Sequence, residues 1–313
     1  MPSHSDPIAQ QILDEHSPNR NNARRRELIK SIEEKTGRKL LVYIAASHPV
    51  PIPEINAMRS IRVEDITFLE DLLRTADSEK GDLLINSAGG EPNVAEKMLM
   101  MCRHRFTKEF NVIVPNFAKS AATMIALGSD KILMGYLSEL GPIDPQVIIT
   151  DPSGKQQQLP AQAIVGGLTE IRRKIVEDKD PIEMYYPMLS QVRPEIIQYC
   201  NNAIKASQEF AEKWLKAHML KSNPAKAEKV ASELSNGVTY KSHGKVIDYA
   251  EAKDRLGLDV ECIDPKSELW SWIWELYLRA NFHLQMTNGI KLFESSTNSV
   301  AMNVLIQQVP IKQ

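Results

Sequence analysis

DLLINSAGG (82–90) and FAKSAATMIAL (117–127) decide the fold. DLLIN is a short apolar run that ends on Asn86 and turns at Gly89 and Gly90. Val94, Met98, Met101 and Cys102 then recur at helical spacing. FNVIV (110–114), closed by Pro115, is the next strand, and Ser120 opens AATMIAL, a helix rich in small residues. Upstream, LLVYIAA (40–46) reads as a strand, and Ile66, Leu69, Leu72 and Leu73 as a helix face. Downstream, KILM (131–134) is a further strand. Strand and helix in close alternation imply an α/β fold, with parallel strands joined by right-handed crossovers.

The carboxyl ends of parallel strands are where chemistry sits in such folds. Glycine at 89 and 90 lets the backbone turn sharply and present N–H groups, which can hold a developing oxyanion. Taken alone, a glycine pair is more simply an ordinary strand–helix turn. Ser120 projects its hydroxyl at a strand end, and the Ala121 N–H joins the helix dipole in favouring negative charge. Taken alone, Ser120 is more simply an N-cap. The pairing changes the balance. Thirty residues separate Gly90 from Ser120, one strand–helix–strand unit, so adjacent parallel strands bring them side by side. GxSxG, the nucleophile elbow of α/β-hydrolases, is absent.

NSAGG followed by AKSAATM resembles the Clp-type proteases and signal peptide peptidase A. The continuation SELGPIDPQ (138–146) is closer to the SDH proteinases (serine dehydrogenase proteinases) of the ClpP/crotonase superfamily, and SHGKVIDYAEAKDRLGLDV (242–260) resembles their late helix–strand region. The resemblance covers residues 40–262. It implies repeated β-β-α units, a parallel sheet with helices, here followed by a helical C-terminal region. It also implies Ser120 as nucleophile and an oxyanion hole at Gly89, Gly90 and Ala121.

A serine hydroxyl needs a neighbouring base. Clp proteases carry a histidine on the strand after the nucleophile helix; the matching segment here, GPIDPQ, has Asp144 and no histidine. His243 falls near the place of their acidic third member, and is the first candidate for the base, with Asp144 orienting it. The alternatives are lysines, as in signal peptide peptidase A: Lys174, Lys179 or Lys119. The first two lie in the charged stretch RRKIVEDKD, and a lysine base must be desolvated.

Composition narrows the function classes. The chain has 313 residues, 42% apolar, with 38 basic and 40 acidic side chains and a net charge of -2, which gives no electrostatic reason to expect nucleic acid. Three scattered cysteines suggest neither a disulfide framework nor a metal site, and no cofactor motif stands out. No apolar run reaches the roughly 18 residues of a membrane span, and the N-terminus lacks a signal-peptide core, so the expected location is cytoplasmic.

Three regions are expected: a polar arm over 1–38, a catalytic domain over 39–263, and a C-terminal helix and tail over 264–313 that form an oligomer contact. The Arg24, Arg25 and Arg26 cluster reads as a solvated helix balanced by Glu27, Glu33 and Glu34. DPSGKQQQL (151–159) reads as an exposed loop, and 160–235 as helices punctuated by Pro181, Pro187, Pro194 and Pro224. SELWSWIWELYL (267–278) is a helix whose Trp270, Trp272 and Trp274 suit a subunit contact. The expected activity is that of a serine peptidase acting on peptides or unfolded protein as a homo-oligomer. With no GxxxxGK[ST], unfolding power falls to a separate partner. A crotonase-like acyl-CoA enzyme or a non-catalytic scaffold are the alternatives, but crotonases have no need of a serine at position 120.

Overall fold

A computed structural model describes residues 8–14, 18–48, 52–150, 154, 156–190 and 192–303. The chain forms two compact units, residues 1–139 with 248–313, and residues 140–247.

The first unit is built on a seven-stranded sheet. Its strands are β1 (Lys39–Ala45), β2 (Lys80–Asn86), β3 (Glu109–Val114), β4 (Lys131–Met134), β5 (Val260–Cys262), β6 (Gly289–Glu294) and β7 (Ser299–Asn303), in the spatial order β5-β4-β3-β2-β1-β6-β7. β1 to β5 pair in parallel, and β6 and β7 add an antiparallel hairpin beside β1. Alternate strand residues face opposite ways. Leu40, Val42, Ile44, Leu84, Ile113, Leu133 and Leu292 join one buried cluster with Leu28, Ile29 and Ile32 of helix Pro18–Thr36 and Ile273, Leu276 and Leu284 of helix Glu268–Met286. The opposite face carries Tyr43 and Phe293, whose rings meet at 5.0 Å, with Phe68 of helix Asp65–Thr75 at 5.2 Å from Phe293.

Helix Pro18–Thr36 is only partly solvated. Arg26 is exposed, but Arg25 is fully buried and holds Glu294 of β6 in a two-point ion pair, Nε to Oε2 at 2.8 Å and Nη2 to Oε1 at 3.0 Å. Arg24 pairs with Glu275 of the facing helix at 2.9 Å. The tryptophans also turn inward. Trp270 lies so close to Gly135 that a Cβ there would sit 2.2 Å from the indole, and Trp272 and Trp274 pack partly buried on the same core. The C-terminal region is more than a helix and tail. β6 escapes a reading by hydrophobic pattern because Lys291 and Glu294 interrupt it; both are buried and paired.

In the second unit, Gln146–Thr150 and Gln156–Pro160 form an antiparallel hairpin in place of the exposed loop expected over 151–159, of which residues 151–153 and 155 lie outside those described. Helices Ala161–Val176, Tyr186–Leu189, Pro194–Ala217 and Pro224–Ser235 follow. Pro194 and Pro224 open their helices, where a missing N–H costs nothing, and the Asn223 side chain caps the second by accepting from the Lys226 N–H at 3.1 Å. Among the described residues no helix is long and apolar enough to cross a membrane.

The buried Arg25–Glu294 pair is testable. Arg25→Ala leaves a carboxylate buried without its partner and is expected to cost about 3–5 kcal/mol, whereas Arg25→Met with Glu294→Leu restores most of the loss. Urea unfolding of the two variants checks this; equal destabilisation by both would contradict it.

Candidate active site

The turn after β2 and the turn before Ser120 are joined by backbone bonds. The Ser87 N–H donates to Phe117 O at 3.1 Å, and the Lys119 N–H to Ser87 O at 3.0 Å, a parallel bridge between Ser87 and Ala118. The Asn86 side chain adds a bond, its Oδ1 accepting from the Phe117 N–H at 3.2 Å. Ser120 follows with φ 50° and ψ -121°, a backbone conformation that non-glycine residues adopt rarely and that clusters at functional sites. Its hydroxyl makes no cap bond to the helix Ala121–Leu127. The plain N-cap role is thus unfilled, and the partly exposed hydroxyl is not spent on the helix. Thr123 locks the turn from below, donating to Ala118 O at 2.6 Å.

Gly89 fits against this turn as only glycine can. Its φ is 101°, and a Cβ there would lie 2.7 Å from both Lys119 O and Ser120 Cβ and 2.9 Å from Ala121 N. Gly90 runs beside Ile61, where a Cβ would meet backbone at 2.3 Å. The Gly89 N–H is committed to Ser87 Oγ at 3.1 Å. Among the described residues no acceptor meets the Gly90 N–H. The Ala121 N–H leads its helix, and the first N–H groups of a helix have no partner within it. The first unit therefore brings Ser120, Gly89, Gly90 and Ala121 together.

Asp144 and His243 come together within the second unit, His243 Nδ1 lying 2.8 Å from Asp144 Oδ1. Asp144 is buried and His243 partly exposed. The other carboxylate oxygen of Asp144 accepts from Gln146 Nε2 at 2.9 Å. The backbone is pinned on both sides: Ile143 O accepts from Ser207 Oγ at 2.6 Å, the Ile143 N–H donates to Leu234 O at 2.9 Å, and the Ala161 N–H donates to Pro145 O at 2.9 Å. Gln146 ends the motif SELGPIDPQ and was within reach of a sequence reading; Ser207, far along the chain in a helix, carries no such signal.

A model of the ClpP-like SDH-type serine proteinases matches residues 12–283. The chain belongs to this family. Two uncharacterized proteins of Methanocaldococcus jannaschii are similar, one 26% identical over 250 residues (78% of this chain, 73% of the relative), the other 28% identical over 254 residues (81% and 78%). Among solved structures, a mutant of the 1510-N membrane-bound stomatin-specific protease in complex with a substrate peptide is similar at 15% identity and TM-score 0.39, over 85% of this chain and 88% of that one. The ClpP protease catalytic domain from Plasmodium falciparum is similar at 15% identity and TM-score 0.32, over 72% and 86%.

As an SDH-type proteinase the chain is a serine peptidase. Of the lysines considered as its base, Lys119 is ion-paired with Glu139 at 2.9 Å. Lys179 is exposed, and Lys174 lies in the last turn of helix Ala161–Val176. Gly89→Ala is expected to displace the 119–121 turn and lower peptide turnover by about 10²-fold or more, while far-UV circular dichroism stays unchanged. Wild-type turnover in this variant would show that the close packing at Gly89 is dispensable.

Proposed function

We propose that Ser120 is the nucleophile of this peptidase, His243 its base and Asp144 the orienting carboxylate. The observation that carries the reading is the Ser120 turn, with its positive φ, unused hydroxyl and glycine loop packed against it. The Asp144–His243 bond supports the base assignment: with Nδ1–H donating to Asp144, the lone pair sits on Nε2. Ser120 Oγ attacks the scissile carbonyl carbon as His243 Nε2 takes the hydroxyl proton. The carbonyl oxygen becomes an oxyanion, held by the N–H groups of Gly90 and Ala121, while Gly89 serves through its shape because its own N–H is committed. Collapse breaks the C–N bond, the His243 proton leaves with the amine, and an ester on Ser120 remains. Water, deprotonated by the same imidazole, hydrolyses the ester and restores the serine.

The substrate class that suits this chemistry is an unstructured peptide or unfolded protein, delivered where needed by a separate unfolding partner. The three free thiols fit a cytoplasmic setting. We also place the enzyme in a homo-oligomer. Ile148, Val176, Met184, Tyr186, Met188 and Tyr199 of the second unit are all more than half exposed, an apolar surface that a neighbouring copy would cover. Light scattering should then give a multiple of the 35.3 kDa chain mass, and a sharp monomer at micromolar concentration would refute assembly.

For the chemistry, Ser120→Ala should abolish hydrolysis of unstructured peptides and labelling by a fluorophosphonate with the fold intact. His243→Ala should lower kcat by about 10⁴-fold or more, since serine attacks poorly without proton removal. Turnover that survives Ser120→Ala, with contaminating proteases excluded, would overturn the nucleophile assignment.

A further inference from the structure

Beneath the glycine loop runs a chain of buried hydrogen bonds. The Gly89 N–H donates to Ser87 Oγ at 3.1 Å. The Tyr43 phenol donates to Asp65 Oδ2 at 3.0 Å, and the Ser87 hydroxyl is among the groups that bear on that phenol. A carboxylate only accepts, so the phenol proton goes to Asp65 and the phenol oxygen is left open to the Ser87 hydroxyl. Lys291 Nζ reaches both Asp65 oxygens, at 2.6 and 2.8 Å, and the Arg62 N–H adds a bond at 3.0 Å. Tyr43, Asp65, Ser87 and Lys291 are all fully buried. The Gly89 N–H and the Tyr43 phenol therefore both donate away from the glycine loop, towards a carboxylate fixed by a buried ammonium.

We propose that Ser87 and Tyr43 are positioning residues for the oxyanion hole, holding the Gly89 N–H inward so that the Gly90 N–H is left facing the reacting carbonyl. The inference rests on the Ser120 reading above and extends it into the core. Its logic is directional. A peptide unit next to two glycines has many orientations open to it, and an N–H group that swings away gives no transition-state stabilisation. The Gly89 N–H is tied to a buried hydroxyl, so rotation at the loop breaks a buried bond, and the phenol beside that hydroxyl is itself held by Asp65. The end of the chain cannot drift: Asp65 opens helix Asp65–Thr75, Tyr43 lies on β1 and Lys291 on β6. None of the four side chains touches the substrate in this scheme, so the loss on removing one should fall on kcat.

The test reads the loop and the reaction separately. Hydrogen exchange of the amides in 84–91 should quicken about tenfold in Ser87→Ala and Tyr43→Phe, with 131–134 unchanged. On an unstructured peptide, Ser87→Ala should lower kcat about 10²-fold and Tyr43→Phe about tenfold at unchanged KM. Affinity for a peptide aldehyde, which forms a tetrahedral adduct on serine, should fall by the same factors. Ser87→Thr, which restores the hydroxyl, should recover most of both readouts. Exchange and kcat at wild-type levels in Ser87→Ala would overturn the proposal, as would quickened exchange with unchanged kcat. If instead wild-type turnover survives Ser120→Ala, the nucleophile assignment falls and unaltered exchange in both variants alone decides against the positioning role.

Discussion

Two backbone hydrogen bonds, Ser87 N–H to Phe117 O and Lys119 N–H to Ser87 O, hold together everything the first unit contributes to chemistry. Past its last ladder pair with β3, Leu84 with Ile113, β2 stays paired only with β1, and strand ends ordinarily diverge into separate loops. Here the parallel pairing continues for one more bridge, Ser87 to Ala118, into the segment that leads to Ser120. The strained φ of Ser120 persists because its neighbours are fixed: Lys119 by this bridge, Ala122 by its bond to Lys119 O, and the whole turn by Gly89 at its back. A residue in an unfavourable backbone region needs such over-determination, at a cost of order 1–3 kcal/mol.

The same unit buries two full ion pairs, Lys291–Asp65 and Arg25–Glu294, on opposite sides of β6. Ion pairs in a core are weak sources of stability, because desolvation offsets most of the attraction. Their value lies in direction. Apolar contacts would let the C-terminal hairpin slide along β1, whereas these two pairs fit only one register, that in which Ala45 faces Lys291 and Val42 faces Glu294. The hairpin in turn delivers the ammonium that anchors Asp65, the carboxylate to which the Tyr43 phenol on β1 donates.

Much of this was legible in the chain. Four of the five parallel strands declare themselves as apolar runs, and the helices between them by spacing; the short Val260–Cys262, interrupted by Glu261, does not. NSAGG and AKSAATM mark the two turns because glycine and small residues are required where backbones approach within contact distance. Three things escaped. The Ser120 φ leaves no mark in residue type. β6 is hidden because Lys291 and Glu294 mimic a solvated segment, and only partners 226 and 269 residues distant, Asp65 and Arg25, make their burial tolerable. The Gln146–Pro160 hairpin is hidden for another reason: its second strand is polar glutamine over Gln156–Gln158, exposed throughout and lacking the alternation that betrays a half-buried strand.

Asp144 shows why a motif can be readable while its role is not. The sequence places a carboxylate where related proteases carry a histidine, which on residue type alone weakens the case for catalysis. The proposed role draws its support from the treatment of that carboxylate by its own unit. A buried Asp held merely for structure would be satisfied by any donors. This one has one oxygen occupied by Gln146, its flanking peptide groups tied at Ile143 and Pro145, and the remaining oxygen aimed at a single imidazole that is partly open to solvent. Immobilising the acceptor fixes the angle of the ring and which nitrogen faces it, because a carboxylate only accepts and so takes its bond from Nδ1–H. In the proposed triad an exchange of positions between acid and base is chemically neutral, since proton transfer depends on which atom holds the lone pair and not on which strand or loop supplies it.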